Sequence, residues 1–442
     1  MNIEIKKRIE QINKKNVPNS YKKVGMAIIP KNWDITSLIE ISEKGISNGI
    51  FNAPNKVGNG VKLINVVNLY EEPYIKLDNL SLLEVTADEL ECYRVKKGDI
   101  FFTRSSLKLE GIAHCNINLF DEIDMVFDCH IMKISPNKEK FDPLFLRLFF
   151  LSSYARKYFI AHAKTTTMTT IGQKDIEKMP IYYPSLSEQQ KIANILSTCD
   201  KLIELKEKLI EKKKFQKKYL MQALLDPKSP NFRRLTGFKG EWKEIKLGSL
   251  GKTYGGLSGK NKNDFGAGKP YIPYINIFNN PIININSFEY VAIGENENQN
   301  QVKSGDVFFT TSSETPEEVG MSSVILENTN ELYLNSFCFG FRLYEFNKLN
   351  PNFAVYFFRS KFFRKILNKL SQGSTRFNLS KNSMMKVNII LPAIKEQKAI
   401  ANILSVVDKE INLLEKELEQ QKLKKKALMQ LLLTGKVRVN VS

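Results

Sequence analysis

The sequence has few of the residues on which most enzyme active sites depend. It contains three His, and its five Cys are scattered without any C-x-x-C pair. This scarcity of His argues against histidine general-base catalysis. An odd number of dispersed Cys residues is typical of a reducing cytoplasm rather than of a disulfide framework. We therefore expect a cytoplasmic protein without structural disulfides.

Two pairs of adjacent His and Cys are the nearest approach to a metal motif. His114-Cys115 and Cys129-His130 lie in strand-like surroundings, and their spacing matches no common zinc site. The second half of the chain contains no His at all. We interpret these four residues as buried structural residues and expect no metal site.

Long apolar runs and targeting segments are also absent. No stretch of about eighteen consecutive apolar residues occurs, so a membrane-spanning helix is not expected. The N-terminal sequence M-N-I-E-I-K-K-R-I-E has acidic residues and no apolar core, which argues against a signal peptide.

A phosphate-binding loop is suggested only superficially, at Gly255–Lys260. Tyr254 occupies the place of the first Gly of that motif, and Asn261 the place of its Ser or Thr. No G-x-G-x-x-G opens a helix, and no carboxylate cluster recurs in both halves of the chain. The sequence thus predicts neither catalytic residues nor a cofactor in this chain.

Positive charge is what the sequence has in excess. Its 66 Lys and Arg residues outnumber its 47 Asp and Glu residues, which gives a formal net charge of +19. For a cytoplasmic protein such an excess makes nucleic acid the first partner to consider.

One segment of the chain occurs twice, at a constant offset of 208 residues. The sequence P-S-L-S-E-Q-Q-K-I-A-N-I-L-S begins at Pro184, and P-A-I-K-E-Q-K-A-I-A-N-I-L-S begins at Pro392. Both segments lack Gly and internal Pro, which predicts two long helices. Apolar residues three and four apart between Ile400 and Leu418 indicate a coiled-coil-like stripe. We favour spacer helices between two modules over a helix pair in the core of one globule.

The segments before the two helices repeat as well. Trp33 matches Trp242, and V-K-K-G-D-I-F-F-T-R-S-S from Val95 matches V-K-S-G-D-V-F-F-T-T-S-S from Val302. A Gly-Asp turn before alternating aromatic and β-branched residues predicts a strand. We favour a loose N-terminal tail over a short docking helix. The predicted order is a tail at 1–20, a first module at 21–183, a helix at 184–226, a second module at 227–391, and a helix and tail at 392–442.

Basic and polar residues in the loops and strand ends of both modules are candidates for contacts with phosphates and base edges. In the first module they are Lys56, Lys62, Arg104, Ser105 and Lys108, and in the second they are Lys260, Lys262, Lys269, Ser312 and Arg376.

The combination of motifs resembles the specificity subunit of type I restriction-modification systems. The motif E-Q-x-x-I-A-N-I-L-S-x-x-D follows Y-P or L-P in both copies, and the chain ends in L-L-L-T-G-K-V-R-V at Leu431–Val439. The module starts I-P-K-N-W and G-E-W-K-E-I-K-L-G and the G-D-[IV]-F-F-T strands extend the likeness over nearly the whole chain.

The resemblance implies an α+β fold with two similar mixed α/β target recognition domains. Two long antiparallel helices would separate them in a pseudo-twofold internal repeat. Each domain would read one half of an asymmetric bipartite site in double-stranded DNA. Two methyltransferase subunits and the translocase-nuclease subunits would join the complex, and these partners would use S-adenosylmethionine, ATP and Mg. The apolar residues expected at the partner-helix interface are Leu202, Leu205, Leu209, Ile403 and Leu414.

Two alternatives stay open from the sequence. One is the specificity component of a type IIB-like restriction-modification enzyme, which only the partner subunits would distinguish. The other is a coiled-coil structural scaffold without DNA specificity. Sequence-specific binding whose affinity falls steeply with salt would exclude the scaffold.

Overall fold

The structure is a computed structural model that describes residues 3–25, 27–121, 123–373 and 375–440. The chain forms two compact units. The first unit contains Met1–Lys208 and Lys416–Ser442, and the second contains Leu209–Glu415. Each unit therefore combines one sequence module with one part of each long helix. Over the described ranges, no helix is long and apolar enough to span a lipid bilayer.

The first unit is organised around a four-stranded antiparallel sheet, and the predicted Gly-Asp turn leads into one of its central strands. Gly98 has a φ of 90°, a conformation that favours glycine. The Asp99 carboxylate accepts a hydrogen bond from the Lys96 amide at 2.8 Å. Beyond the turn, Phe101 and Phe102 are fully buried in two different apolar clusters. The strand is therefore covered on both faces.

The elements of the first unit are as follows. Its helices are α1 Ile3–Asn13, α2 Leu38–Ile41, α3 Ala87–Tyr93, α4 Pro143–Phe150, α5 Ser153–His162, α6 Gln173–Ile176 and the start of α7 Leu186–Leu225. Its strands are β1 Tyr21–Val24, β2 Ala27–Pro30, β3 Asp34–Ser37, β4 Ser42–Asn48, β5 Val57–Ile64, β6 Ser81–Leu83, β7 Ile100–Thr103, β8 Ser105–Ser106, β9 Cys115–Ile117, β10 Met125–Phe127, β11 Ile131–Pro136, β12 Lys164–Thr165, β13 Thr169–Thr170 and β14 Pro180–Tyr183. The sheet orders are β4-β11-β7-β9, β10-β5-β6, β12-β13-β8, β1-β2 and β14-β3.

The second unit contains the end of α7 and most of the elements that follow it. Its strands are β15 Lys243–Lys246, β16 Gly251–Gly255, β17 Phe265–Ile272, β18 Glu289–Val291, β19 Val307–Thr310, β20 Ser312–Ser313, β21 Ser322–Val324, β22 Tyr333–Leu334, β23 Cys338–Leu343, β24 Phe377–Asn378 and β25 Asn388–Leu391. Its helices are α8 Tyr274–Asn279, α9 Pro351–Phe357, α10 Lys361–Leu370, α11 Lys381–Met385 and the start of α12 Ile394–Leu432, which ends in the first unit. The sheet orders are β16-β23-β19-β21, β18-β17-β22, β20-β24 and β15-β25.

The two units share their strand pairing as well as their sequence pattern. In the first unit β5 pairs parallel with β10 and antiparallel with β6. In the second unit β17 pairs parallel with β22 and antiparallel with β18. The four-stranded sheets also correspond strand by strand. The predicted α+β class with two similar mixed domains and an internal repeat is therefore confirmed, while the domain boundaries set at 183, 226 and 391 stay predictions.

The expectation of a loose N-terminal tail is wrong, because Ile3–Asn13 forms helix α1. Ile12 is buried, and the Arg8 Nε donates to the Lys436 carbonyl at 3.2 Å. The Lys436 ammonium in turn donates to the Asn13 side chain at 2.8 Å. The helix therefore docks on the C-terminal tail within the first unit, as the alternative of a short docking helix implied.

Charged residues on the two long helices form ion pairs within each unit. In the first unit Glu207 pairs with Lys422 and Lys206 with Glu417, both at 2.6 Å, and Asp200 pairs with Lys425. From Asp200 to Lys206 on α7 the partner on α12 changes from Lys425 back to Glu417, so the helices are antiparallel there. The second unit has the pairs Lys213–Glu410, Lys214–Glu415 and Lys217–Asp408. The Glu and Lys runs at 201–218 and 409–426 read from the sequence as solvated helix faces, but several of their residues form these ion pairs instead.

Asp200 and Asp408 occupy matching positions of the repeat but have different surroundings. In the second unit the Asp408 Oδ2 accepts a hydrogen bond from the Tyr356 hydroxyl at 3.0 Å. Burial and this carboxylate raise the pKa of Tyr356, so its hydroxyl stays a donor at neutral pH. In the first unit Leu148 stands at the position of Tyr356, and the buried Asp200 Oδ2 has no hydrogen-bond partner among the described residues.

This difference predicts that Tyr356→Phe destabilises the second unit. Loss of the hydroxyl removes one donor from a carboxylate that stays ion-paired with Lys217, so we expect a loss of about 1 kcal/mol. The free energy of unfolding from denaturant titration checks it. Tyr344→Phe, at a tyrosine that is 60% exposed, is the control and should change nothing. Equal stability of the Tyr356→Phe variant and the wild type would contradict this account.

Candidate nucleic-acid and partner interfaces

The Glu of each E-Q repeat motif lies near the start of a long helix. It forms a buried ion pair with an Arg from a segment that is distant in the sequence. Glu188 is 2% exposed, and its two carboxylate oxygens accept from the Arg438 Nε and Nη2 at 2.7 and 2.6 Å. In the second unit Glu396 is 1% exposed and accepts from the Arg234 Nε and Nη2 at 3.1 and 2.8 Å. The motif therefore fixes the C-terminal tail in one unit and the segment after α7 in the other.

The Gln of the same motif fixes the loop before a domain helix. The Gln189 Oε1 accepts from the Asp142 amide at 3.0 Å, and its Nε2 donates to the Lys140 and Pro184 carbonyls. Gln397 makes the same set of bonds with the Asn350 amide and two carbonyls. The repeated sequence thus anchors each domain to its helix.

Each unit carries a small two- or three-stranded sheet that holds some of the residues predicted to contact DNA. The first small sheet is β12-β13-β8, in which Ser105 pairs with Thr170. Arg104 immediately precedes β8, and its Nη1 donates to the Cys129 carbonyl at 3.0 Å. Arg104 and Ser105 line a cavity of about 530 Å³ with His130, Lys164 and Thr170. The structure therefore brings these two predicted residues together in a basic concave surface.

The second small sheet, β20-β24, holds the corresponding residues of the other unit. Ser312 pairs with Asn378, two residues beyond the exposed Arg376. Thr311 stands at the position of Arg104, and Arg376 immediately precedes β24, so the Arg beside each small sheet adjoins a different strand. Similar scaffolds thus present different polar groups, which is what two different half-sites would require.

The predicted lysines divide into paired and unpaired residues. Lys56 lies 3.3 Å from the Glu89 carboxylate, Lys260 pairs with Glu297, and Lys269 pairs with Glu331. Hydrogen bonds from Lys260, and then from Gln299 and the Gly294 amide, lower the pKa of Glu297 to about 2. The amide of Lys108 donates to the Ser106 side chain of β8 at 3.2 Å, so this lysine lies beside the first small sheet. Three of the predicted lysines form no ion pair with the residues that the structure describes. They are Lys62, which donates to the Leu77 carbonyl at 3.5 Å, and the exposed Lys108 and Lys262.

Sequence reasoning missed His130, Lys164 and Thr170 in the first unit and Asn378 in the second. The signal was present, because the segments T-T-T-M-T-T-I and S-T-R-F-N-L align and precede matching helices. A search for basic residues alone passes over the Thr and Asn positions. Pairing of the small-sheet strands is a long-range contact that the local pattern does not reveal.

The two His-Cys pairs differ in burial. His114 and Cys115 are structural as predicted: burial, with help from Arg156, lowers the pKa of His114 to about 4, and burial raises that of Cys115 to about 12. The Cys129-His130 pair is not buried, since the His130 side chain is 61% exposed. That part of the interpretation is wrong, because this pair lies in a turn at the edge of the cavity beside Arg104.

The turn at Cys129 also brings three possible metal-ligand atoms together. The Asp128 oxygen, Cys129 sulfur and His130 nitrogen lie within 4.8 Å of one another. The same Asp128 oxygen accepts the His130 amide at 2.6 Å, and the Asn335 side chain accepts the Phe337 amide at 2.8 Å in the matching turn. Asn335 makes the same turn-closing hydrogen bond, although no metal-ligand residue follows it in that turn. Closing the turn is therefore enough to explain why Asp128 lies where it does.

Leu202, Leu205 and Leu209, which we call the leucine face, recur three and four residues apart on α7. Their side chains are 43%, 55% and 40% exposed. Ile403 is 37% exposed and Leu414 is half-buried. Glu410 and Glu417, which replace Leu202 and Leu209 in the second copy, pair with Lys213 and Lys206. The leucine face is therefore an apolar surface of α7 that its copy in α12 does not reproduce.

Val406 and Leu413 are among the exposed apolar residues of α12 that sequence reasoning missed. Leu413 matches Leu205 at the offset of 208 and is 58% exposed, and Val406 is 62% exposed. The apolar stripe alone does not determine which of its residues an antiparallel neighbour covers. Both belong with Ile403 as candidates for a partner surface on α12.

The fold and these surfaces define a protein built from two recognition-type domains on antiparallel helices. The family model of the type I restriction modification DNA specificity domain matches residues 30–213 and again 239–424. The chain therefore belongs to the family of type I restriction-modification specificity subunits.

Similar proteins agree with this assignment. A Methanocaldococcus jannaschii protein named as the MjaX type I restriction enzyme specificity subunit is 27% identical over 95% of this chain and 97% of its own. A chain from a structure of type I R-M complex assembly covers 92% of this chain with 99% of its own, at 14% identity and a TM-score of 0.60. The S subunit from M. genitalium covers 93% with 97% of its own, also at 14% identity, with a TM-score of 0.52.

Proposed function

We propose that this chain is the non-catalytic DNA-reading subunit of a type I restriction-modification complex. Each domain reads one half of an asymmetric bipartite site in double-stranded DNA. The long helices dock two methyltransferase subunits, and translocase-nuclease subunits complete the assembly. S-adenosylmethionine, ATP and Mg belong to those partners, which work with this chain in the cytoplasm.

The observation that carries this proposal is the repeat of one scaffold with different polar groups on its small sheets. Arg104 in the first unit precedes β8 and Arg376 in the second precedes β24, which are not the corresponding strands of the two small sheets. Bidentate Arg contacts to guanine are the commonest specific contacts in the major groove. A net charge of +19 supports the phosphate contacts that any duplex reader needs.

The proposal predicts that Arg104→Ala and Arg376→Ala each impair one half-site. Loss of one base contact costs about 1–3 kcal/mol, or roughly tenfold to hundredfold in affinity. Fluorescence anisotropy with duplexes altered in one half at a time measures this effect. Each variant should lose discrimination in its own half and keep it in the other. Loss in both halves, or in neither, would contradict the assignment of one half-site to each domain.

A further inference from the structure

Helix α10 of the second unit presents a row of lysines to solvent. Lys361, Lys365 and Lys369, which we call the lysine face, are exposed and four residues apart, while Phe363 and Leu367 on the opposite side are buried. Four residues of helix rise about 6 Å, so the three side chains start about one turn apart. The helix is thus strongly divided into an apolar side and a cationic side.

The lysine face borders a cavity of about 510 Å³. Lys228 adds a fourth cation to its lining, and Asp226 and Glu244 are its carboxylates. None of the four lysines forms an ion pair with any residue in the described parts of the chain. Like charges four residues apart destabilise a helix. An arrangement of this kind therefore fits an anionic partner outside the chain.

The first unit provides an internal comparison. Its helix α5 has Ser153, Lys157 and Ala161 at the positions of the three lysines. Ser153 accepts a hydrogen bond from the Gln430 side chain within the same unit. The scaffold therefore does not need lysine at these positions, and the cationic row is a property of the second unit alone.

Helix α10, which carries the lysine face, is linked to the second small sheet by hydrogen bonds and by the chain. Arg364 on α10 donates to the carbonyls of Glu317, Val319 and Gly320, each at 2.6 Å, in the loop that follows β20. The chain leaving α10 at Leu370 reaches Arg376 six residues later. These hydrogen bonds and the short connection to Arg376 thus link α10 to both segments that carry the predicted DNA contacts.

We propose that the lysine face binds the phosphate backbone of the duplex beside the half-site that the second unit reads. This inference rests on the proposed DNA-reading function and adds to it a sequence-independent contact. A row of ammonium groups suits a row of phosphates, because each binds as a point charge without reading bases. Phosphate contacts of this kind set the position of a reader on the duplex.

The test is the variant Lys361→Gln/Lys365→Gln/Lys369→Gln in the full-length chain. Glutamine keeps the helix propensity while removing three charges. The probes are a duplex carrying the methylated site found in genomic DNA and a duplex of equal length without it. The slope of log Kobs against log salt should fall by about 2.7, and the affinities for both duplexes should fall by similar factors.

A control variant that loses the same number of charges tests whether the position of the lysines matters or only the net charge of the chain. Lys138→Gln/Lys140→Gln/Lys178→Gln removes three exposed lysines from the first unit and should leave most of the slope intact. An equal decrease of the salt slope in this control, or an unchanged slope in the α10 variant, would overturn the proposal. Normal DNA binding with loss of the protein partners would also overturn it, in favour of an acidic protein surface. Failure of the wild type to prefer its site would instead refute the proposed function.

Discussion

Replacing the leucine face by serine, as Leu202→Ser/Leu205→Ser/Leu209→Ser, should prevent stable association with the methyltransferase subunits. Each side chain is 40–55% exposed, so a partner that covers it removes about half of a leucine from water. Full burial of a leucine is worth about 1.5–3 kcal/mol, so the three half-burials contribute about 3 kcal/mol together. That energy corresponds to roughly a hundredfold in affinity.

Co-purification of tagged chain with its methyltransferase subunits measures this effect, and thermal unfolding confirms that each variant folds. The control is Leu107→Ser, which removes an 86% exposed leucine from a domain loop and should leave association unchanged. Leu413→Ser, at the repeat position of Leu205, should weaken the docking of one methyltransferase subunit. If the triple variant still co-purified both methyltransferase subunits in full, the leucine face would serve only the packing of the two long helices.

Arg438→Ala should destabilise the first unit more than any other single change considered for it. Glu188 is 2% exposed and depends on Arg438 for a bidentate ion pair. Breaking a buried pair from one side costs about 3–5 kcal/mol, because the remaining charge is left without a partner. We expect the lower end, about 3 kcal/mol, since Arg438 itself is 31% exposed and its removal admits water.

Hydrogen exchange followed by mass spectrometry locates the effect in the intact chain. Arg438→Ala should increase exchange in the first unit, including the start of α7, and leave the second unit protected. The matching change Arg234→Ala should do the reverse, because Glu396 depends on it. Adding Glu188→Gln to Arg438→Ala removes the unpaired charge and should restore part of the stability. Uniform loss of protection in both units would contradict the independent anchoring of each domain.

Much of the fold could be predicted because it repeats. The offset of 208 residues revealed two similar modules, and the Gly-Asp turns at Gly98 and Gly305 marked a central strand in each. The long helices were evident from the absence of Gly and Pro. These signals are local, since they come from backbone conformation and from apolar periodicity within one element.

The surfaces were harder to predict, because they depend on contacts between distant segments. The ion pairs of Lys56, Lys260 and Lys269 join residues far apart in sequence, and nothing local indicates them. Helix α1 docks on a tail more than four hundred positions away, a contact that the local sequence does not indicate. The role of Glu188 and Glu396 was likewise hidden, since their Arg partners lie in unmatched segments.

Modified-base sequencing of genomic DNA from cells with and without this gene tests the central claim most directly. The account predicts a two-part motif of fixed spacing, with different halves and a modified adenine in each, that disappears on deletion of the gene. In cells that carry Arg104→Ala or Arg376→Ala, modification should spread to sequences altered in one half of that motif. An unchanged modification pattern after deletion would contradict the DNA-reading role and favour a structural scaffold.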